Sequence, residues 1–335
     1  MKTLIRLPNW IGDAVMATPA IRQIIAHSES TAVWGPSKTA SLFHGFPKVE
    51  RVLELDEKEE PERLDEIRAE QFSRVFLLTN SYSTAKAARD LGIPERIGYH
   101  RSWRGFLLTR PLYCGWRVRH LHMVDYYLHL LPKEWRAEPV DRQPCLHLTL
   151  EEEDRRQQAL ENLAGPLASR VVGIAPGAAF GSAKQWEQEW YQQVARWMME
   201  MGFFVMVFGT EKDCELGDFI LQGTAQAQGR NLAGQTSLRE LMASIASCRC
   251  LLTNDSGPMH LADAVGTPAV ALFGSTDSGW TGPRSRNHHV LQSKVPCSPC
   301  FLRECPLDRE CMKELSVNAV IQSLEEILEI PPCPG

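Results

Sequence analysis

The chain lacks any run approaching the roughly 18 apolar residues that a membrane-crossing helix needs. It lacks a basic excess as well: 36 Lys and Arg stand against 41 Asp and Glu, a net charge of −5. That balance gives no support for a nucleic-acid binder. No low-complexity segment or short repeat occurs. The N-terminus has no unbroken apolar core, because Pro8, Asn9 and Asp13 interrupt it, so a secretory signal is not expected. Cysteine is thinly spread apart from one late cluster, as suits a reducing compartment. These absences predict a cytoplasmic protein. Three motifs are missing too: G-x-G-x-x-G after the first strand, Gly-Lys-Ser/Thr in any loop, and Asp-x-Asp after a strand in the second half.

What is present is ordinary globular material, 44% apolar and 23% charged over 335 residues. At about 150 residues per domain, that length suggests two domains. Short aliphatic runs alternate with helical periods. Lys2–Leu7, Thr31–Trp34, Glu50–Leu55 and Arg74–Leu78 read as strands. Helices are expected after Gly12 (accommodating Pro19), near Pro61–Glu70 within the acidic run from Asp56, and over Thr84–Leu91. After the charged helix Glu151–Leu163 the pattern restarts. Arg170–Ala175, Phe203–Phe208, Cys250–Thr253 and Pro268–Phe273 read as strands, and Trp186–Met201, Leu238–Ser247 and Met259–Val265 as helices. Strands alternating with helices predict parallel sheets. The expectation is an α/β chain of two domains, 1–166 and 167–335.

Ligands of open α/β sheets sit beyond the carboxyl ends of strands, and the polar motifs lie there. Pro8-Asn9-Trp10-Ile11-Gly12-Asp13 follows the first strand; Asp13 either caps the next helix or faces a cleft. Pro176 to Lys184 joins small residues, the Ser182 hydroxyl and the Lys184 cation to a following helix, which suits a phosphate; a plain connector is the alternative. Thr253-Asn254-Asp255-Ser256-Gly257-Pro258-Met259-His260 gathers more polar groups than one helix cap requires. Gly274-Ser275-Thr276-Asp277 follows the last strand. From Arg96 to His122 there are six arginines and three histidines, with Trp103, Phe106 and Trp116 interleaved and no acid until Asp125. That stretch suits an anionic substrate or membrane surface, or is a basic surface loop. Finally, Cys297, Cys300, Cys305 and Cys311 could hold zinc tetrahedrally. The spacing departs from common zinc-finger intervals, and an iron–sulfur site or reduced thiols fit the same residues.

Together these residues resemble glycosyltransferase family 9, the ADP-heptose:lipopolysaccharide heptosyltransferases. Pro8 to Pro19 is similar to the opening motif of the heptosyltransferase II branch. Asn254 to Ala262 is similar to the donor-site motif, and Gly274-Ser275-Thr276 to the Gly-Pro-Thr after it, with Ser275 in place of proline. The stretch from Arg96-Ile97-Gly98-Tyr99 to His122 and Asp125-Tyr126-Tyr127 resembles the family's middle region.

The resemblance implies a GT-B fold of two Rossmann-like domains facing a cleft, and inverting transfer of heptose from ADP-heptose to the lipopolysaccharide inner core. It implies Asp13 as base and Lys184 as a cation for the departing ADP. Gly177, Ser182, Lys184, Glu211, Asp255, Ser256, Gly257, His260 and Thr276 would bind the donor, with Glu211 preferred over Asp213 and Glu215 for the ribose. Asn9, Trp10, Arg101, Arg104, Arg119 and His120 would bind a lipid A–Kdo–heptose acceptor, with peripheral contact at the cytoplasmic face of the inner membrane. No catalytic cofactor is expected. Transfer of another nucleotide sugar, or non-catalytic binding of one, is the alternative.

Overall fold

The structure, a computed structural model, describes residues 1–55, 60–136, 140–223 and 228–330. It divides into two compact units, Met1–Thr149 and Leu150–Gly335. The expected boundary at 166 therefore moves upstream. The helix Leu150–Ala164 belongs to the second unit because it packs on the helix Leu238–Ala246. Glu152 pairs there with Arg239, and Arg156 donates to Ser247 Oγ at 3.4 Å.

The first unit carries one parallel sheet: β1 (Lys2–Arg6), β2 (Ser30–Gly35), β3 (Arg51–Glu54), β4 (Arg74–Leu77), β5 (Glu95–Tyr99) and β6 (Arg110–Leu112). The second repeats the plan with β7 (Val171–Ala175), β8 (Phe204–Val207), β9 (Gly229–Asn231), β10 (Leu251–Asn254), β11 (Ala269–Phe273) and β12 (His289–Gln292). The spatial orders are β3-β2-β1-β4-β5-β6 and β12-β11-β10-β7-β8-β9. Counted within each unit, both are the dinucleotide-fold order 3-2-1-4-5-6. The direction of winding reverses between β1 and β4 in one unit and between β7 and β10 in the other. Those are the places where open α/β sheets bind ligands.

The central strands form because aliphatic residues fill both faces, as a sheet covered by helices requires. Val171–Ala175 and Ala269–Phe273 are buried at every position. Helix Gln188–Glu200 lays Tyr191, Val194, Ala195 and Met198 on the second sheet, and helix Val317–Leu328 adds Val320 and Leu324 to the same core. In the first unit Leu4, Trp34, Val75, Leu77 and Ala88 occupy the corresponding core. The helix expected after Gly12 is two helices, Ile11–Met16 and Thr18–Ala26, because Pro19 cannot continue the first and instead sits in the first turn of the second. Helix Glu60–Ala69 meets the expectation near Pro61; residues 56–59 of the acidic run lie outside the described residues.

Candidate functional site

In the first unit the chain leaves β1 at Arg6 and enters helix Ile11–Met16 within five residues, at the reversal of strand order. No side chain caps this helix, so the capping role considered for Asp13 is not the one observed. Its part-exposed carboxylate instead accepts a hydrogen bond through Oδ1 from the Tyr127 hydroxyl, at 3.1 Å, on helix Met123–His129. Burial raises the Asp13 carboxyl above the usual aspartate range, and the tyrosine bond pulls it back. Trp10 stands open, 56% exposed, with the Lys38 ammonium 5.5 Å from its ring centre. Asn9 is exposed and accepts from Arg6 through Oδ1 at 3.1 Å.

The arginine-rich stretch is less uniform than its composition suggests. Arg104 is fully buried. Its Nε donates to the Tyr99 carbonyl at 3.0 Å and its Nη1 to the Ser81 carbonyl at 3.3 Å. Burial lowers its pKa to about 10, which leaves it a cation at neutral pH. Arg96 donates to the carbonyls of Leu107 (2.7 Å) and Ile93 (2.6 Å), and Arg110 pairs with Glu95 at 2.8 Å. Arg110, though exposed, is offset by Glu95, so the open charge of the expected field comes from half-buried Arg101 and exposed Arg117 and Arg119. Arg101 lies beside the Tyr126 hydroxyl. Arg119 is exposed with Nε on the Cys114 carbonyl at 3.1 Å, and the exposed His120 bonds the Trp116 carbonyl through Nδ1 at 2.8 Å. Around them Trp103, Phe106, Tyr113 and Trp116 are all more than two-thirds exposed, at 92, 72, 80 and 73%.

In the second unit three loops converge beyond neighbouring strands. Lys184, at the end of the turn Ser182–Lys184 after β7, places Nζ 2.5 Å from Asp255 Oδ2, after β10. Thr276, after β11, donates to the same oxygen at 2.7 Å. Ser256 starts helix Gly257–Val265 without capping it; its Oγ lies 3.3 Å from Thr253 Oγ1. Pro258 has no N–H and Met259 N donates to the Ser256 carbonyl at 3.2 Å, so the first-turn donor that no side chain takes is the Gly257 N–H, which suits an anion. His260, one turn in, is buried. That burial lowers its pKa and favours the neutral imidazole, against the opposing charges of Asp255 and Asp263.

Gly177 lies close under Asp213: a Cβ there would sit 2.9 Å from both of its carboxylate oxygens, so one of the two would have to shift. Asp213 is itself committed, accepting from Thr210 N and Oγ1 at 2.8 Å each. Glu211 and Glu215 are exposed. Ser182 is exposed on its turn. Sequence reasoning missed two supports of this site. Tyr191 donates to Asn254 Oδ1 at 2.7 Å, and Asn254 Nδ2 donates to the Pro176 carbonyl at 2.7 Å, tying the β7 and β10 loops together. It placed Tyr127 within the middle-region motif but gave it no role. No charge pattern marks either tyrosine, since both read as core aromatics.

Cys297, Cys300, Cys305 and Cys311 are free thiols. Among the described residues no group of three or more His, Cys, Asp or Glu side chains is arranged to hold a metal ion. The segment that carries the cysteines packs on the loops after β7 and β11. The Arg303 carbonyl accepts from Ala183 N at 3.0 Å, and the Ser275 carbonyl accepts from Cys300 N and Phe301 N at 3.1 and 2.8 Å.

Two successive Rossmann-like units of this strand order make the chain a protein of the GT-B glycosyltransferase architecture. The family model described as glycosyltransferase family 9 (heptosyltransferase) matches residues 63–310, and the chain belongs to that family. Lipopolysaccharide heptosyltransferase 2 of Escherichia coli K12 is 31% identical over 307 residues, 87% of this chain and 88% of the relative. Lipooligosaccharide heptosyltransferase 2 of Campylobacter jejuni strain 81116 is 27% identical across 98% of this chain and 99% of its own. Among solved structures, E. coli ADP-heptose LPS heptosyltransferase II superposes with a TM-score of 0.84 at 28% identity, covering 98% of this chain and 99% of that one.

Proposed function

We propose that this chain moves a heptose from ADP-heptose to the inner core of lipopolysaccharide, as a heptosyltransferase II. The reading is carried by the convergence of Lys184, Asp255, Thr276 and an uncapped helix start at the switch point of the second unit, in a chain of this family. The relatives named heptosyltransferase 2 support the donor and acceptor classes.

In the proposed reaction the acceptor hydroxyl gives its proton to Asp13 and attacks the anomeric carbon. The bond to the β-phosphate oxygen breaks, and the configuration inverts. Charge developing on the departing ADP is met by Lys184, Thr276, the N–H groups from Ser256 and Gly257, and the loop from Gly177 to Ser182. Fixed donors at a developing charge are worth about 3–4 kcal/mol each. Lys184 supplies positive charge where other transferases use Mg²⁺, so the step needs no metal. Glu211 takes the ribose, since Asp213 is held by Thr210. On the acceptor side Asn9, Trp10, Arg101, Arg119 and His120 face the lipid-linked core. Arg104 supports that face from beneath, through the Tyr99 and Ser81 carbonyls.

The exposed Trp103, Phe106, Tyr113 and Trp116 among Arg101, Arg117 and Arg119 suit peripheral contact with an anionic membrane face. No helix among the described residues is long and apolar enough to cross a membrane.

Thermal shift with ADP, UDP and GDP tests the donor site. Stabilisation by ADP alone is expected. A preference for UDP or GDP points to another transferase, and ADP binding without turnover to a non-catalytic binder.

A further inference from the structure

Asp13 belongs to helix Ile11–Met16, and the side chain that bonds its carboxylate lies 114 residues further along the first unit. Tyr127, on helix Met123–His129, is 4% exposed and has its hydroxyl 3.1 Å from Asp13 Oδ1. Among the described residues no other hydrogen bond reaches the carboxylate, so Oδ2 stays available. Helices Thr18–Ala26 and Ser37–Ala40 also pack against helix Ile11–Met16. Their charged groups do not bond Asp13: Arg22 pairs with Asp141 and Lys38 lies over Trp10, while His27, just past the first helix, stacks on Trp135. On the tyrosine's own helix Asp125 pairs with Arg142, Tyr126 accepts from Asn80, and His129 meets Tyr99. A carboxylate that desolvation disfavours is therefore steadied by one neutral donor.

We propose that Tyr127 is a positioning residue for the transfer reaction: its hydroxyl fixes the Asp13 carboxylate by Oδ1 and leaves Oδ2 directed at the acceptor hydroxyl. The inference rests on the reading of Asp13 as the base. A hydrogen bond to the charged form of an acid favours that form. Removing it raises the pH below which the base is protonated and idle.

The test is the pH profile of kcat/KM for the lipid acceptor. In Tyr127→Phe the acidic limb moves up by about one pH unit, the worth of one hydrogen bond to a charged group, while the donor KM is unchanged. A fluorotyrosine at 127 keeps the shape but donates more strongly, and moves the limb down. Tyr126→Phe, whose lost hydroxyl meets Asn80 and Arg101 but not Asp13, leaves the limb in place. A limb unmoved in both Tyr127 variants, with ADP affinity intact, overturns the positioning role while Asp13 remains the base. Substantial turnover by Asp13→Asn overturns the base itself. If Tyr127→Phe fails to fold, the fluorotyrosine alone decides: a static limb contradicts the proposal.

Discussion

A single carboxylate and a single ammonium carry most of the chemistry argued for this protein, and their surroundings differ in kind. Asp13 is met by one neutral hydroxyl. Asp13→Asn keeps that shape but removes the basic oxygen, so kcat falls by about 10²–10⁴, the usual worth of a general base, with ADP affinity unchanged. Initial rates beside calorimetric ADP binding check this. Lys184 is met by a nearly buried carboxylate, with side chains 11 and 6% exposed. Removing one partner of such a pair strands the other charge. Asp255→Ala is therefore expected to cost about 3–5 kcal/mol of stability, measured by denaturant unfolding, besides weakening ADP binding. Lys184→Ala leaves Asp255 with Thr276 and lowers ADP affinity and kcat together. None of these partnerships except the Lys184 cation was marked by residue type. Arg104 reads in sequence like its neighbours, yet it alone is fully buried, because Gly98 leaves room for its guanidinium under the turn after β5.

Elements with both faces buried were legible: β1, β2, β4, β7, β8, β10 and β11 fall within a residue or two of where aliphatic runs place them. The strands that escaped notice lie toward the sheet edges. β6 is three residues long with Pro111 at its centre, tolerable only at an edge, and β9 is Gly-Arg-Asn, with no apolar side chain. β5 reads Glu-Arg-Ile-Gly-Tyr, and β12 begins with a histidine. The cysteine segment is likewise understood only as an element. It props the loop before Lys184, and a Cβ at Gly181 would lie 2.1 Å from the Arg303 carbonyl. Gly181→Ala is expected to lower ADP affinity about tenfold by displacing that loop, as overpacking of about 1–3 kcal/mol would. Helix Gly257–Val265 is fastened at its other end by Asp263, which accepts from Arg284 N (2.8 Å), Ser285 N (3.0 Å) and His288 Nε2 (3.2 Å). Burial raises this carboxyl, but the bonds from His288, Ser285 and Arg284 outweigh it and hold it below the ordinary aspartate range. A depressed acid stabilises the fold above its unfolded pKa and loses that contribution as pH falls through the folded value. Asp263→Ala should thus lower Tm at neutral pH and flatten the acid side of the stability curve, as scanning calorimetry across pH would record.

At the scale of the whole chain the repeated unit was readable because each half restarts the same alternation of strand and helix. The dividing point was not. The helix Leu150–Ala164 has a weakly apolar pattern, and only its packing on Leu238–Ala246 assigns it to the second unit. Of the exposed aromatic residues of the first unit, Trp103, Phe106 and Trp116 were marked in sequence by the arginines around them, and Tyr113 was not. Replacing Trp103 and Trp116 with alanine is expected to reduce sedimentation with anionic vesicles while leaving ADP binding unchanged. The central claim is transfer of heptose, and one measurement addresses it most directly: mass spectrometry of a heptosylated Kdo–lipid A acceptor incubated with purified protein, ADP-heptose and EDTA. The account predicts acceptor carrying one additional heptose and an equal amount of ADP, with neither formed by Asp13→Asn. An unmodified acceptor after incubation with folded, ADP-binding protein, or modification that appears only when Mg²⁺ is restored, would contradict it.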